Sequence, residues 1–304
     1  MEYAEIRFDS SGSATIAVGT KSQGQGHETM YRQVAAHRLG LAPQDLRFLE
    51  GDTDSVAWGA GTGGSRSLAI GGTALWLAAD KVIAKGKRIA AHLLEAAHAD
   101  IAFADGRFSI AGTDRAVGIK EVARASFVFA TLPAASRPDI EPGLFESATF
   151  SPVQETFPNG THVCEVEVDP QTGAIELLNY VVVDDVGTEV NPLTLAGQIV
   201  GGIVQGLGQV LMERIVYDAE GQLLTGSFMD YAMPRAGDIC GFEIGHNAVP
   251  TKLNPLGAKG AGEAGTVGAL AAAMNAIVDA IGTENIEMPT TPERVWRALQ
   301  GKKS

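Results

Sequence analysis

A chain of 304 residues with 45% hydrophobic and 19% charged side chains is built to fold, with room for one large or two modest domains. Its formal net charge of −13 argues against a nucleic-acid or anionic-membrane surface. Two cysteines far apart, Cys164 and Cys240, form no CxxC pair, which excludes an iron–sulfur cluster or structural zinc held by this chain and reads as two reduced thiols.

From the N-terminus, Met1 runs straight into charged, alternating sequence with no signal-peptide pattern. No apolar stretch reads as approaching the ~18 residues of a membrane span, so the expectation is a cytoplasmic chain. Residues 3–8 and 14–18 alternate about a Ser/Gly turn and predict a hairpin. A strand this near the start of the sequence implies a sheet partner upstream, expected on another polypeptide. Residues 28–39 read as a helix, 46–51 as a short strand and 68–97 as a long Ala/Leu-rich helical segment with Gly86 as a candidate break. A strand pair follows at 102–110, turning at Asp105-Gly106, then a short helix from Lys120 and a Pro-rich linker over 131–143.

The second half opens with strands at 162–168 and 174–184 around the turn Asp169-Pro170-Gln171-Thr172-Gly173. Asn191 caps a helix running to Met212, with Pro192 at its first position. A strand is expected near Leu223, followed by the segment 227–234, then helices at 266–281 and 292–299. Strands and helices mix without regular βαβ alternation, which predicts α+β with two subdomains, 1–145 and 146–304, and no internal repeat.

The 37 glycines, about one residue in eight against a usual ~7%, gather in loops that precede helices. Three such loops stand out. The first is Gln23-Gly24-Gln25-Gly26-His27-Glu28. The second is Gly63-Gly64-Ser65-Arg66-Ser67. The third is Lys259-Gly260-Ala261-Gly262-Glu263-Ala264-Gly265, where a carboxylate sits at the start of an apolar helix. Glycine lets backbone approach a ligand closely, and backbone N–H groups at a helix start bind polar or anionic groups. Arg66 between two serines is placed to pin an anion. Glu263 is either a helix cap or a catalytic carboxylate. His27 and Gln25 are either solvated loop residues or ligand contacts, and Gln198 is a polar candidate on a helix whose Gly201, Gly206 and Gly208 read as close-packing positions. Gly59-Gly61-Gly64 and Gly260-Gly262-Gly265 both match GxGxxG. Neither follows an apolar strand, so a nicotinamide-binding Rossmann domain is disfavoured.

Together, Gly24-Gln25-Gly26-His27-Glu28-Thr29, Gly64-Ser65-Arg66-Ser67, Asp184-Asp185-Val186-Gly187 with Asn191-Pro192, Gly197-Gln198 with Gly201-Gly202, Asp230-Tyr231-Ala232-Met233-Pro234 and Lys259-Gly260-Ala261-Gly262-Glu263 resemble the molybdenum-binding large subunit of the xanthine dehydrogenase/aldehyde oxidase/carbon monoxide dehydrogenase family. They occur in that family's order across essentially the whole chain, with the bacterial carbon monoxide dehydrogenase-like branch nearest in pattern. The resemblance implies an α+β, two-subdomain molybdopterin-binding domain. It implies a molybdenum cofactor in the form of molybdopterin cytosine dinucleotide, contacted by Gly24, Gln25, Gly26, His27, Ser65, Arg66, Ser67, Gln198, Lys259, Gly260 and Gly262. No protein side chain is expected to ligate the metal. Glu263 matches the active-site carboxylate, a general base whose dry, glycine-lined surroundings would raise its pKa.

Family large subunits are more than twice as long, and the resemblance covers only their C-terminal part. It therefore implies a split subunit or a truncated gene, active only with a partner that supplies the N-terminal half and the substrate-facing loop. FAD and a 2Fe-2S cluster are expected on further partner subunits. A non-catalytic remnant or assembly scaffold shares every motif. Carbon monoxide as substrate would need a copper-bearing cysteine loop outside this sequence.

Overall fold

The computed structural model describes residues 1–128 and 141–301, so ten of the thirteen residues of the expected 131–143 linker lie outside the described residues. Within them the chain divides into two compact units, 1–156 with 251–258, and 157–250 with 259–304.

In the first unit, strict alternation builds β1 (Glu2–Phe8), which turns Ala4, Ile6 and Phe8 inward. β2 (Ala14–Val18) returns antiparallel, with Ile6 opposite Ile16. The turn between them is held by Asp9, which accepts from the N–H groups of Ser11 and Ser13. α1 (His27–Leu39) then crosses to β3 (Leu46–Glu50), which lies parallel to β2. A π-helical turn, Ser67–Gly72, leads into α2 (Thr73–Leu93), whose Leu75, Val82 and Ile89 are fully buried. Gly86 does not break this helix. It gives up its side chain because the Phe108 ring lies against it.

A small sheet of β4 (Ile101–Ala104), β5 (Arg107–Ile110) and β6 (Ala116–Gly118) follows, then α3 (Ile119–Phe127). β7 (Phe145–Phe150) closes the main sheet by pairing antiparallel with β1, giving the order β3-β2-β1-β7. β1 is thus flanked on both sides by strands of its own chain. The expected partner on another polypeptide is corrected: the strand that serves lies far downstream, where nothing in the local pattern near residue 145 announced it.

The second unit opens with β8 (Asn159–Val168) and β9 (Ile175–Asp185), an antiparallel hairpin. α4 (Pro192–Leu211) starts at Asn191, whose side chain accepts from the Thr194 N–H at 2.9 Å. β10 (Phe242–His246) lies parallel to β9, and α5 (Ala264–Ile281) and α6 (Pro292–Leu299) complete the unit. The strand expected near Leu223 shrinks to a single bridge with Tyr217. Tyr180, Val182, Ile199, Ile203, Leu207, Ala269, Ala273 and Ile277 make the core. Gly206 lets α5 approach, since a methyl there would sit 2.7 Å from the Ala269 side chain, and Gly202 lies against Thr266. Gly201 faces open space and is not a packing position.

Both units run ββαβα, with an antiparallel hairpin and a third strand parallel to the second. The internal repeat is topological, which is why the sequence hid it. α1 is a mixed polar helix, whereas the equivalent α4 is almost wholly apolar. A second correction concerns hydropathy. The helical runs Ser67–Leu93, Pro192–Leu211 and Ala264–Ile281 are each long and apolar enough to cross a membrane by length and composition alone. Sequence inspection missed them because charges interrupt the first run, glycines and glutamines the second, and glycines with Thr266, Asn275 and Asp279 the third.

Candidate cofactor-binding loops

In the first unit, Gly24 and Gly26 take left-handed backbone at φ 115° and 80°, which turns the chain sharply into α1. Gln25 pins that turn from within. Its carbonyl oxygen accepts from the Gln23 N–H at 2.5 Å, and its amide donates to Gln23 Oε1 at 2.6 Å. His27, the first residue of α1, is buried rather than solvated, with Nδ1 2.6 Å from Glu50 Oε1. Glu50 also accepts from the Thr20 hydroxyl at 2.6 Å and the Ser22 N–H at 3.1 Å. Burial works to raise the Glu50 carboxyl, but these donors, His27 first among them, hold it below its ordinary value.

From Thr20 the network continues 3.0 Å to the Tyr31 hydroxyl, which donates to the Ser67 carbonyl at 2.8 Å. A buried polar chain of Thr20, Tyr31 and Glu50 therefore fixes the loop holding Gly24–His27 relative to the segment Ser65–Ser67. Sequence reading missed all three links. The available signal was Glu50, a carboxylate ending a strand of otherwise apolar inward residues.

Ser65 has φ 55°, unusual for a residue with a side chain, and Gly64 beside it has open space where a Cβ would stand. Arg66 does not reach out for an anion. Its guanidinium meets the fully buried Glu2 at 3.2 Å and donates to the Met1 carbonyl. Glu2 in turn accepts from the N–H groups of Tyr3 and Ala60. Ser67 Oγ lies 3.3 Å from Thr62 Oγ1.

In the second unit, Lys259 Nζ stands 2.5 Å from Asp185 Oδ2, and the Lys259 N–H donates to the Val186 carbonyl. Asp185 Oδ1 accepts from the N–H groups of Gly187 and Val249. Burial opposes its charge, yet the lysine and these amides hold its carboxyl below the ordinary value. Both the side chain and the backbone N–H of Lys259 are thus committed within this unit, while Gly260 and Gly262 beside it carry no side chains. Gly265, the second residue of α5, abuts the Ile199 carbonyl, and Thr266 Oγ1 donates to the Gly202 carbonyl at 2.9 Å. Because Gly265 meets Ile199 and Ala269 meets Gly206, α4 and α5 run in the same sense along this contact. Gln198, in the second turn of α4, and Glu263, at the N-cap of α5, therefore lie toward the same end of the pair. Glu263 occupies the N-cap position without making a side-chain cap, and it is exposed. The dry surroundings expected for it are corrected: flanking glycines carry no side chains to wall it in.

A sequence model for the molybdopterin cofactor-binding domain matches residues 1–240. The chain belongs to that family. It is an α+β, two-subdomain domain of the molybdenum hydroxylases. It is 37% identical over 299 residues to the carbon monoxide dehydrogenase large chain of Hydrogenophaga pseudoflava, covering 97% of this chain and 37% of that one. It is 39% identical to the nicotine 6-hydroxylase large subunit of Paenarthrobacter nicotinovorans, again over 98% of this chain and 37% of the relative. The fold superposes on the Cu,Mo-carbon monoxide dehydrogenase with a TM-score of 0.91 at 36% identity, over 99% of this chain and 38% of that one. On quinoline 2-oxidoreductase from Pseudomonas putida 86 the TM-score is 0.89 at 37% identity, over 99% and 38%. The chain thus spans little more than a third of the length of these relatives.

The loops of this family member fit an anionic, multiply hydrogen-bonding cofactor. The helix starts at Gly26, Arg66 and Glu263 lack a side-chain cap, as do those of α2, α3 and α6, whereas Asn191 closes the start of α4. Gly24, Gly61, Gly63 and Gly64 face open space, and Arg66 Nε is buried with no protein acceptor.

Proposed function

We propose that this chain is the cofactor-binding part of a molybdenum hydroxylase that oxidises a small substrate with water as the oxygen source. Electrons would pass to partner subunits carrying a 2Fe-2S cluster and FAD. The observation that carries this reading is the set of three glycine-rich loops, each opening a helix whose first N–H groups no side chain caps. Such ends offer backbone donors and the positive end of the helix dipole to phosphate and pterin oxygens.

The molybdenum cofactor, read as molybdopterin cytosine dinucleotide, would supply the two-electron chemistry when bound. Gly24, Gln25, Gly26 and His27 would hold it through backbone N–H groups, His27 lacking a free Nδ1 because Glu50 takes it. Ser65 and Ser67 would add hydroxyl or backbone donors, and Arg66, tied to Glu2, would keep their loop in shape. Gln198, Lys259, Gly260 and Gly262 would contact it from the second unit, and Glu263 would accept the proton released as substrate is oxidised. In this reading the chain carries two subdomains, 1–145 and 146–304, in a cytoplasmic complex whose partner supplies the N-terminal half of the large subunit.

The test is the molybdenum content of the chain purified gently from its host, with copurifying polypeptides identified. Near-stoichiometric molybdenum, with a flavoprotein and an iron–sulfur protein present, is the expected result. A metal-free, solitary chain overturns the reading in favour of a non-catalytic remnant or scaffold.

A further inference from the structure

The two units repeat one topology but do not finish it alike. In the first, β7 takes the fourth place, antiparallel beside β1, and α2 packs over it. In the second, the order stops at β10-β9-β8, and among the described residues nothing pairs with the outer edge of β8. That edge is ten residues long, with no proline or lysine; its guards are a register irregularity between Glu165 and Val166 and the exposed Glu165 and Glu167, and Val163 beside them is 58% exposed. Unpaired N–H and C=O groups on so long an edge recruit another strand, and the glutamates restrict which strand that is.

The helix above tells the same story. α5 occupies the place of α2, and apart from Thr266, Asn275 and Asp279 it is built of Ala, Gly, Val, Leu, Ile and Met. Yet only 28% of its most apolar stretch is buried, against 56% for the equivalent stretch of the α2 run, and Val267 is 73% exposed. A helix apolar on most of its surface belongs in an interior.

We propose that an extended segment of a second polypeptide adds antiparallel to the outer edge of β8, filling the place that β7 fills beside β1. β7 indicates the segment's inward chemistry, since its buried Ala148 lies opposite Ala4 on the helix-covered face. Small or apolar side chains at alternate positions would lie beneath α5. On the opposite face, the exposed Glu165 and Glu167 of β8 select basic residues across the new pair. The inference rests on the proposed function only in taking the second polypeptide to carry the remainder of the relatives' length.

Residue-resolved amide exchange, on the chain alone and in the complex purified from its host, tests this. Alternate amides of residues 159–168 should slow by roughly tenfold or more in the complex. Replacing both Glu165 and Glu167 by Lys should weaken the complex by about tenfold or more, while the isolated chain melts as before. A complex that leaves the β8 amides unchanged overturns this inference, and its molybdenum content then judges the proposed function separately. Protection that appears in the isolated chain and rises with its concentration makes the occupant a second copy and also overturns it. So does a molybdenum-loaded chain recovered with no partner.

Discussion

His27 Nδ1 and Glu50 Oε1 stand 2.6 Å apart with both side chains nearly sealed from water, 4% and 6% exposed. The pair turns a glycine-rich loop, flexible by composition, into one of fixed shape. Through Thr20 and Tyr31 it also ties that loop to the carbonyl of Ser67. A cofactor loop whose geometry is set before the ligand arrives binds without a further ordering cost.

Glu50→Gln should therefore cost about 1–3 kcal/mol of stability, because the buried donors around it lose a charged acceptor. The pH dependence follows from the sign of its shift. The Glu50 carboxyl is held below its ordinary value of 4.5 in the folded chain. Its contribution is full above that value and drains away as pH falls through the lower, folded one. Urea unfolding between pH 7 and pH 3 should show the acid limb of the wild type flattened in Glu50→Gln. An unchanged limb would place the acid sensitivity elsewhere.

Much of this fold was legible in the sequence, and the exceptions share a cause. Alternation marked β1, β2, β8 and β9, and Asn191-Pro192 marked the start of α4, because each signal lies within a few adjacent residues. β7 and β10 were not read: their identity as strands depends on β1 and β9, partners distant in sequence. The candidate loops were visible as glycine clusters. The commitments of their side chains were not, since Arg66 to Glu2, His27 to Glu50 and Lys259 to Asp185 are all long-range pairings. Charge in a loop looked available for a ligand when the fold already held it.

Gly265→Ala tests how the α5 start is positioned. A methyl there would overlap the Ile199 carbonyl and crowd the Ile203 N–H, both fixed in the α4 backbone. Neither neighbour is a flexible side-chain end, so α5 must shift. The expected cost is about 1–3 kcal/mol, read as a lowered urea midpoint. Gly201→Ala, where the space is open, should be neutral or slightly stabilising through helix propensity.

Cys164 offers a chemical check on the second unit's core. Burial first, with Cys240 nearby adding to it, pushes its thiol up to about 11. At pH 8 roughly one molecule in a thousand then carries the reactive thiolate. Iodoacetamide should modify Cys164 on the order of a hundredfold more slowly than a free cysteine in the native chain and at an ordinary rate in urea. Fast native labelling would mean that the β8 hairpin opens in solution.

Glu263 separates chemistry from structure more cleanly than any other residue here. It is exposed, so a neutral replacement of the same shape should leave the fold intact. Glu263→Gln should shift stability by no more than about 0.5 kcal/mol, the usual range for a surface change. The same substitution removes the proton acceptor from the mechanism proposed above, which ought to lower turnover of the loaded complex by about 10²–10⁴-fold. Its molybdenum content should not change, because in the proposed mechanism the neighbouring backbone groups would hold the cofactor. Turnover lost together with molybdenum would make Glu263 part of the cofactor cradle instead. Turnover retained in full would remove it from the chemistry and leave the start of α5 as a binding element alone.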